Sequence, residues 1–155
     1  MKQSGWVAAL VLVCASVPLA LAQQSLDTLS RDHYTPRLVS IMETAQTRHA
    51  KLWFAGKAQN WELAAYEVRQ LEASLAEAAV MYSGLPVSNI TTLATPLQSA
   101  SEAIDAKDGG KFAKAFAEIT DGCNACHRSL GRGFVVMRTP TDQPFGNQVF
   151  APQKK

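Results

Sequence analysis

Apolar positions recur along this chain at steps of three and four, the period of an amphipathic helix. The first run spans Pro36 to Gly56, where Leu38, Met42, Ala45, His49, Leu52 and Gly56 share one face. Pro36 suits a first helical turn and Gly56 suits a stop. Asn60 is placed to cap a second helix beginning at Trp61. There Ala64, Val68, Leu71, Leu75, Ala78 and Tyr82 repeat the spacing, before Gly84 and Pro86 end it. Glu62, Glu67, Glu72 and Glu77 read as the solvated face of this helix, and Trp53, Phe54 and Trp61 as packing for the turn before it. A third helix carries Leu97, Ala100 and Ile104. It starts either at Thr95–Pro96, as cap and first turn, or near Ser88 with a kink at Pro96. The stretch "DAKDGGK" breaks it. The fourth runs from Gly110 to Leu130, with Phe112, Phe116, Ile119, Cys123, Cys126 and Leu130 in one stripe and Gly131 and Gly133 as its stop.

No segment alternates with period two for long. Phe134 to Met137 forms at most one short strand, without an evident partner. From Thr139 onward Pro140, Pro144 and Pro152 predict an extended tail that wraps the surface. The expected fold is all-α: an antiparallel four-helix bundle over residues 23–138, followed by an extended proline-rich tail over 139–155.

The first 22 residues stand apart from this pattern. Lys2 precedes an apolar run from Trp6 to Leu21, which ends in Ala20-Leu21-Ala22. A basic start, an apolar middle and an A-x-A site predict a secretory signal peptide, residues 1–22, cleaved after Ala22. The run is short for a spanning helix, which needs about 20 apolar residues, and Pro18 interrupts it. The expectation is therefore a periplasmic protein with no membrane anchor after cleavage. Cys14 lies within this run. Val11-Leu12-Val13 before it lacks the small residues of a lipoprotein signal. Cleavage leaves 133 residues and removes Lys2, which lowers the net charge from +2 to +1. No basic block concentrates positive charge, which argues against a nucleic-acid ligand.

Cleavage also leaves two cysteines, Cys123 and Cys126, both in "TDGCNACHRSL". Four chemistries compete for this stretch. A thioredoxin-like pair wants a strand and a helix start around it. A structural zinc site wants four ligands, and beyond Cys123, Cys126 and His127 only His33, His49 and scattered carboxylates remain. A plain disulfide needs no His127 and closes a loop too short to stabilise much. Cys-x-x-Cys-His is also the signature of c-type haem attachment, and the physical logic favours that chemistry. Thiols at i and i+3 project from one side of a helical turn, where they can form thioethers with two vinyl groups of one haem. His127 then offers its imidazole to the iron. Export agrees, because c-type haem is assembled outside the cytoplasm.

The stretch "FAKAFAEITDGCNACHRSL" resembles the last helix of class II c-type cytochromes, the cytochrome c prime group. The resemblance implies a four-helix bundle with one covalent haem c on Cys123 and Cys126 and His127 as proximal iron ligand. It also implies that the distal side of the haem faces the first helix. There Met42 and His49 lie seven residues apart on one face. In an up-and-down bundle the end of helix four lies beside the start of helix one, which favours Met42 as sixth ligand. His49 is displaced by roughly 10 Å at the helical rise. His49 as ligand and a site with no sixth ligand both stay open, with Met81 and His33 as outside candidates. Family members often dimerise through their first two helices, so a homodimer joins redox proteins among the expected partners. Arg128 and Arg132 either meet the haem propionates or sit in a last helical turn, where cations are favoured.

The expected function is a periplasmic electron-transfer protein, not an enzyme. The alternative is a five-coordinate haem protein that binds small gases such as nitric oxide, because an open iron position is what such ligands require. A haem peroxidase would need a distal acid–base pair, and His49 is its one candidate.

Overall fold

A computed structural model gives the structure and describes residues 36–85 and 87–154. The expected signal peptide with Cys14, the start of the expected mature chain and His33 lie outside the described residues. The described chain contains four helices and no strand: α1 (Leu38–Lys57), α2 (Trp61–Met81), α3 (Val87–Asp105) and α4 (Gly109–Ser129). The third helix takes the earlier of its two expected starts, and Pro96 lies inside it. A proline there has no N–H to give the carbonyl one turn back.

The breaks after α1 and α3 are short because both helices end in a tight left-handed turn. Gln59 has φ +57° and Lys107 has φ +54°. Around Gln59, the Asn60 N–H reaches the Ala55 carbonyl at 2.9 Å and the Gln59 N–H reaches Gly56 at 3.0 Å. Around Lys107, Asp108 bonds Ala103 at 2.9 Å and Lys107 bonds Ile104 at 3.0 Å. Both are Schellman caps, which satisfy the orphan carbonyls of a helix end. Each is followed at once by a side-chain cap for the next helix. Asn60 accepts from the Leu63 N–H at 3.2 Å. The Asp108 carboxylate accepts from Gly110 at 3.0 Å and Lys111 at 2.9 Å.

Two terminal expectations change. Pro36 lies outside α1, whose N-cap is Arg37. The Pro36 carbonyl instead accepts from the Tyr82 hydroxyl at 2.6 Å, which ties the start of α1 to the end of α2. Gly56 is inside α1, because the Phe112 ring lies directly over it. A Cβ built there would clash with Phe112 Cε1. This glycine serves a close helix crossing, and the turn falls to Gln59.

The core runs through all four helices: Leu52 and Ala55, Ala64, Val68 and Leu71, Leu97, Ala100 and Ile104, Phe112, Phe116 and Ile119. Trp53 and Trp61 do more than pack the first turn, since both meet Phe112 of α4 at centroid distances of 6.3 and 6.2 Å. Phe54 meets Phe150 at 5.8 Å, which places a buried residue of the C-terminal segment in the core. Glu67 departs from the solvated face expected for it. It is 1% exposed, and its carboxylate lies 3.2 Å from Arg48 Nη1. It falls three residues after Ala64 and four before Leu71, within the buried stripe of α2.

The left-handed turns carry a strain that glycine would relieve, because a Cβ in that conformation costs roughly 1–2 kcal/mol. Gln59→Gly and Lys107→Gly should each raise stability by about 1 kcal/mol, read as a higher urea midpoint. Ala106→Gly, beside the turn, should not.

Candidate functional site

The Cys-x-x-Cys-His stretch occupies the last two turns of α4. Cys123 and Cys126 are free thiols, and both side chains are half-buried. Burial pushes the Cys123 thiol up to about 11, with the neighbouring Cys126 adding to the shift. Burial also raises Cys126. Both groups are therefore protonated at neutral pH, the opposite of a redox-active pair, whose nucleophile is held as thiolate. Among the described residues no group of three or more His, Cys, Asp or Glu side chains converges as a metal cluster would. The helix itself approaches α3 closely here. A Cβ on Gly122 would lie 2.5 Å from Leu93 Cδ2, so the residue before Cys123 has to be small.

Beyond His127 the chain folds back on the stretch. Gly131 takes φ +67°, a conformation that costs glycine nothing. Its N–H bonds the Arg128 carbonyl at 3.1 Å, and Arg132 N–H bonds the His127 carbonyl at 2.7 Å. Val135 N–H then bonds the Arg132 carbonyl at 2.8 Å. This turn carries the Val135 carbonyl to 2.8 Å from His127 Nδ1. A carbonyl only accepts, so Nδ1 is the protonated nitrogen and donates. In the neutral ring this leaves the lone pair on Nε2, the state a metal-ligating imidazole needs. Two residues on, Met137 is held by the side chain of Asn124, the first spacer of the motif. Asn124 Nδ2 donates to the Met137 carbonyl at 2.9 Å, and Met137 N–H donates to Asn124 Oδ1 at 2.7 Å. Phe134 to Met137 form no strand: α4 side chains take the Val135 carbonyl and both backbone groups of Met137, and the Val135 N–H turns back to Arg132.

The two candidate distal residues differ in setting. His49 is 2% exposed, and its ring lies 4.4 Å from that of Phe116. Thr120 donates its hydroxyl proton to the Phe116 carbonyl at 2.9 Å. It must then accept from His49 Nε2–H, also at 2.9 Å. The Nε2–H of His49 is therefore engaged. Burial depresses its pKa from the ordinary 6.5 to about 4. Met42 is half-buried beside the buried Ile41.

The contacts between α1 and α4 give their register. His49 meets Thr120, and Trp53 meets Phe116 at 4.9 Å. A step of four toward the end of α1 is thus matched by four toward the start of α4. Seven residues the other way, two helical turns, bring α1 to Met42 and α4 to His127. Extended at the helical rise, this register puts Met42 near the level of His127, with His49 about two turns away.

Asn124 and the Val135 carbonyl are the parts of this site that sequence reasoning missed. The first carried the weak signal of a side-chain amide inside the motif, and the second carried none. A hollow of about 240 Å³ opens elsewhere, lined by Glu72, Leu75, Ala94, Leu97 and Gln98; none of these belongs to α1 or α4. Compared with protein-family models, curated proteins and solved structures, the chain matches none.

The depressed His49 pKa fixes a pH dependence. Below the ordinary value of 6.5 the unfolded chain takes up a proton at His49 that the folded chain refuses until about pH 4. Stability present above pH 6.5 is therefore lost as pH falls to 4, by about 3 kcal/mol from this group. Urea unfolding at successive pH values should show that loss. His49→Gln, which keeps a donor for Thr120 and does not titrate, should flatten it.

Proposed function

We propose that the protein is an exported c-type cytochrome that carries one haem on Cys123 and Cys126, with His127 as proximal ligand, and that it transfers electrons in the periplasm. The observation that carries this reading is the pairing of two free thiols, one turn apart, with an imidazole whose Nδ1–H is already committed to Val135. The donor set fits the group. Neither thiol is taken by a disulfide, so each could add its S and H across one vinyl group, and the neutral His127 ring keeps a lone pair on Nε2. A haem held there would supply one-electron iron chemistry, its potential set by axial ligands and hydrogen bonding.

The chain's own residues divide the remaining work. Cys123 and Cys126 retain the group. Val135 holds the His127 ring in the ligating tautomer and strengthens its basicity, the usual role of a partner behind a ligating histidine. Met42 is the proposed sixth ligand, since it shares the level of His127. A thioether needs no deprotonation to ligate, whereas His49 Nε2 carries a proton directed at Thr120. With a thioether and an imidazole both donated by the chain, the iron of such a group would be suited to electron transfer. The residues of the expected mature chain carry no anchor in this reading, and redox proteins are its partners.

Intact-mass measurement of protein made in a host that attaches haem should show one added haem, lost in the Cys123→Ser/Cys126→Ser double variant. The ferric spectrum should be low-spin and become high-spin in Met42→Ala, with His49→Ala leaving ligation intact. A high-spin wild type that takes up nitric oxide would replace electron transfer with gas binding. Absence of covalent haem would end both.

A further inference from the structure

The first spacer of the motif has a side chain with a second task. Asn124 spends both halves of its amide on one residue, donating to the Met137 carbonyl at 2.9 Å and accepting its N–H at 2.7 Å. Such a two-point contact is what a neighbouring strand would give, and it fixes both position and orientation. Met137 lies two residues beyond Val135, whose carbonyl meets His127 Nδ1. The Gly131 turn holds the other side of the same segment, through Arg132 N–H on the His127 carbonyl and Val135 N–H on Arg132. The segment 132–137 is thus a strap anchored at both ends to α4, and the His127 ring leans on its middle. Phe134 and Val136 are 79% and 72% exposed, so their side chains contribute little packing to hold the strap. The hydrogen bonds at its two ends do that.

We propose that Asn124 is a positioning residue: by clamping Met137 it holds the Val135 carbonyl against His127, and so fixes the tautomer, orientation and donor strength of the proximal imidazole. The effect on iron rests on the haem reading, but the effect on the imidazole does not. A hydrogen bond from Nδ1–H gives the ring partial imidazolate character, which favours ferric iron. Once the strap is released, Nδ1 loses its acceptor and the ring reverts toward the tautomer that water prefers.

Two variants cut the clamp from opposite sides: Asn124→Ala removes the amide, and Met137→Pro removes the donated N–H without touching the motif. Nitrogen-15 NMR of the full chain produced without haem, above the ordinary histidine pH range, reads the His127 tautomer directly. Wild type should be the Nδ1–H form, and both variants should shift toward Nε2–H. In the haem-loaded protein both should raise the midpoint potential. A tenfold shift in the ferrous-to-ferric ratio corresponds to about 59 mV for one electron. Asn124→Gln should restore part of each effect. An unchanged tautomer in both variants overturns the proposal, whatever the potential does. Failure to attach haem would sink the haem reading while the tautomer measurement still decides the clamp.

Discussion

The buried contact of His49 with Thr120 and Phe116 fixes how α1 lies along α4, and the geometry of the candidate site follows from that register. Tight turns join α1 to α2 and α3 to α4, so those pairs are aligned by the chain itself. No turn joins α1 to α4. A slip of one helical turn between them, about 5.4 Å, would carry the imidazole away from the hydroxyl that accepts its proton. A buried donor without an acceptor costs roughly 1–3 kcal/mol. It would also move the Trp53 ring off Phe116 and bring another residue against the space that Gly56 leaves for Phe112. Three neighbouring penalties in one seam select one alignment, and that alignment sets Met42 level with His127.

The adjacent residue aims the other way. Arg48 leaves α1 toward α2, where it meets the buried Glu67 carboxylate and lies 5.8 Å from the Tyr66 ring. A buried ion pair adds little net stability over apolar packing, yet an alignment that separates its partners leaves a charge uncompensated. Consecutive residues of one helix thus hold polar partners on its two neighbours. The apolar core supplies the driving force for assembly, and its alanine-rich surfaces tolerate sliding. These polar contacts remove that freedom.

The helical period made the four helices legible in the sequence, and Asn60 and Gly131 were legible as cap and stop because their side-chain chemistry suits those positions. The same logic misassigned Gly56. A glycine near a helix end reads as a turn, while the conformation that needs one fell to Gln59 and Lys107, which carry no such signal. Glu67 reads as solvated because a carboxylate is rarely buried, although its spacing from Ala64 and Leu71 places it on the inner face. At the site, the residues that would bind a group are legible because their chemistry is local and the spacing is short. The strap is not, since it is built from backbone groups of Val135 and Met137, and backbone groups look alike in every sequence. The amide of Asn124 indicated a partner without saying which one.

The two ends of the bundle divide the labour of the fold. Rings accumulate away from the motif, where Trp53, Trp61, Phe112 and Phe116 pack against one another, and Phe54 takes Phe150 from the C-terminal segment. Fully buried side chains of α4 stop at Thr120, and from Cys123 onward they are half-buried or exposed. The start of α1, the end of α2 and the strap share that end, and there Val39, Val80, Met81, Phe134 and Val136 are exposed. Ring packing is concentrated at the far end, while the motif end is closed by smaller groups such as Ile41, Ala78 and Leu93. Its residues are held by hydrogen bonds at fixed points: Tyr82 on Pro36, Asn124 on Met137, His127 on Val135. Those bonds set direction rather than bulk. Two thiols and an imidazole within one five-residue stretch at a helix end depend on direction more than on bulk, and these bonds supply it.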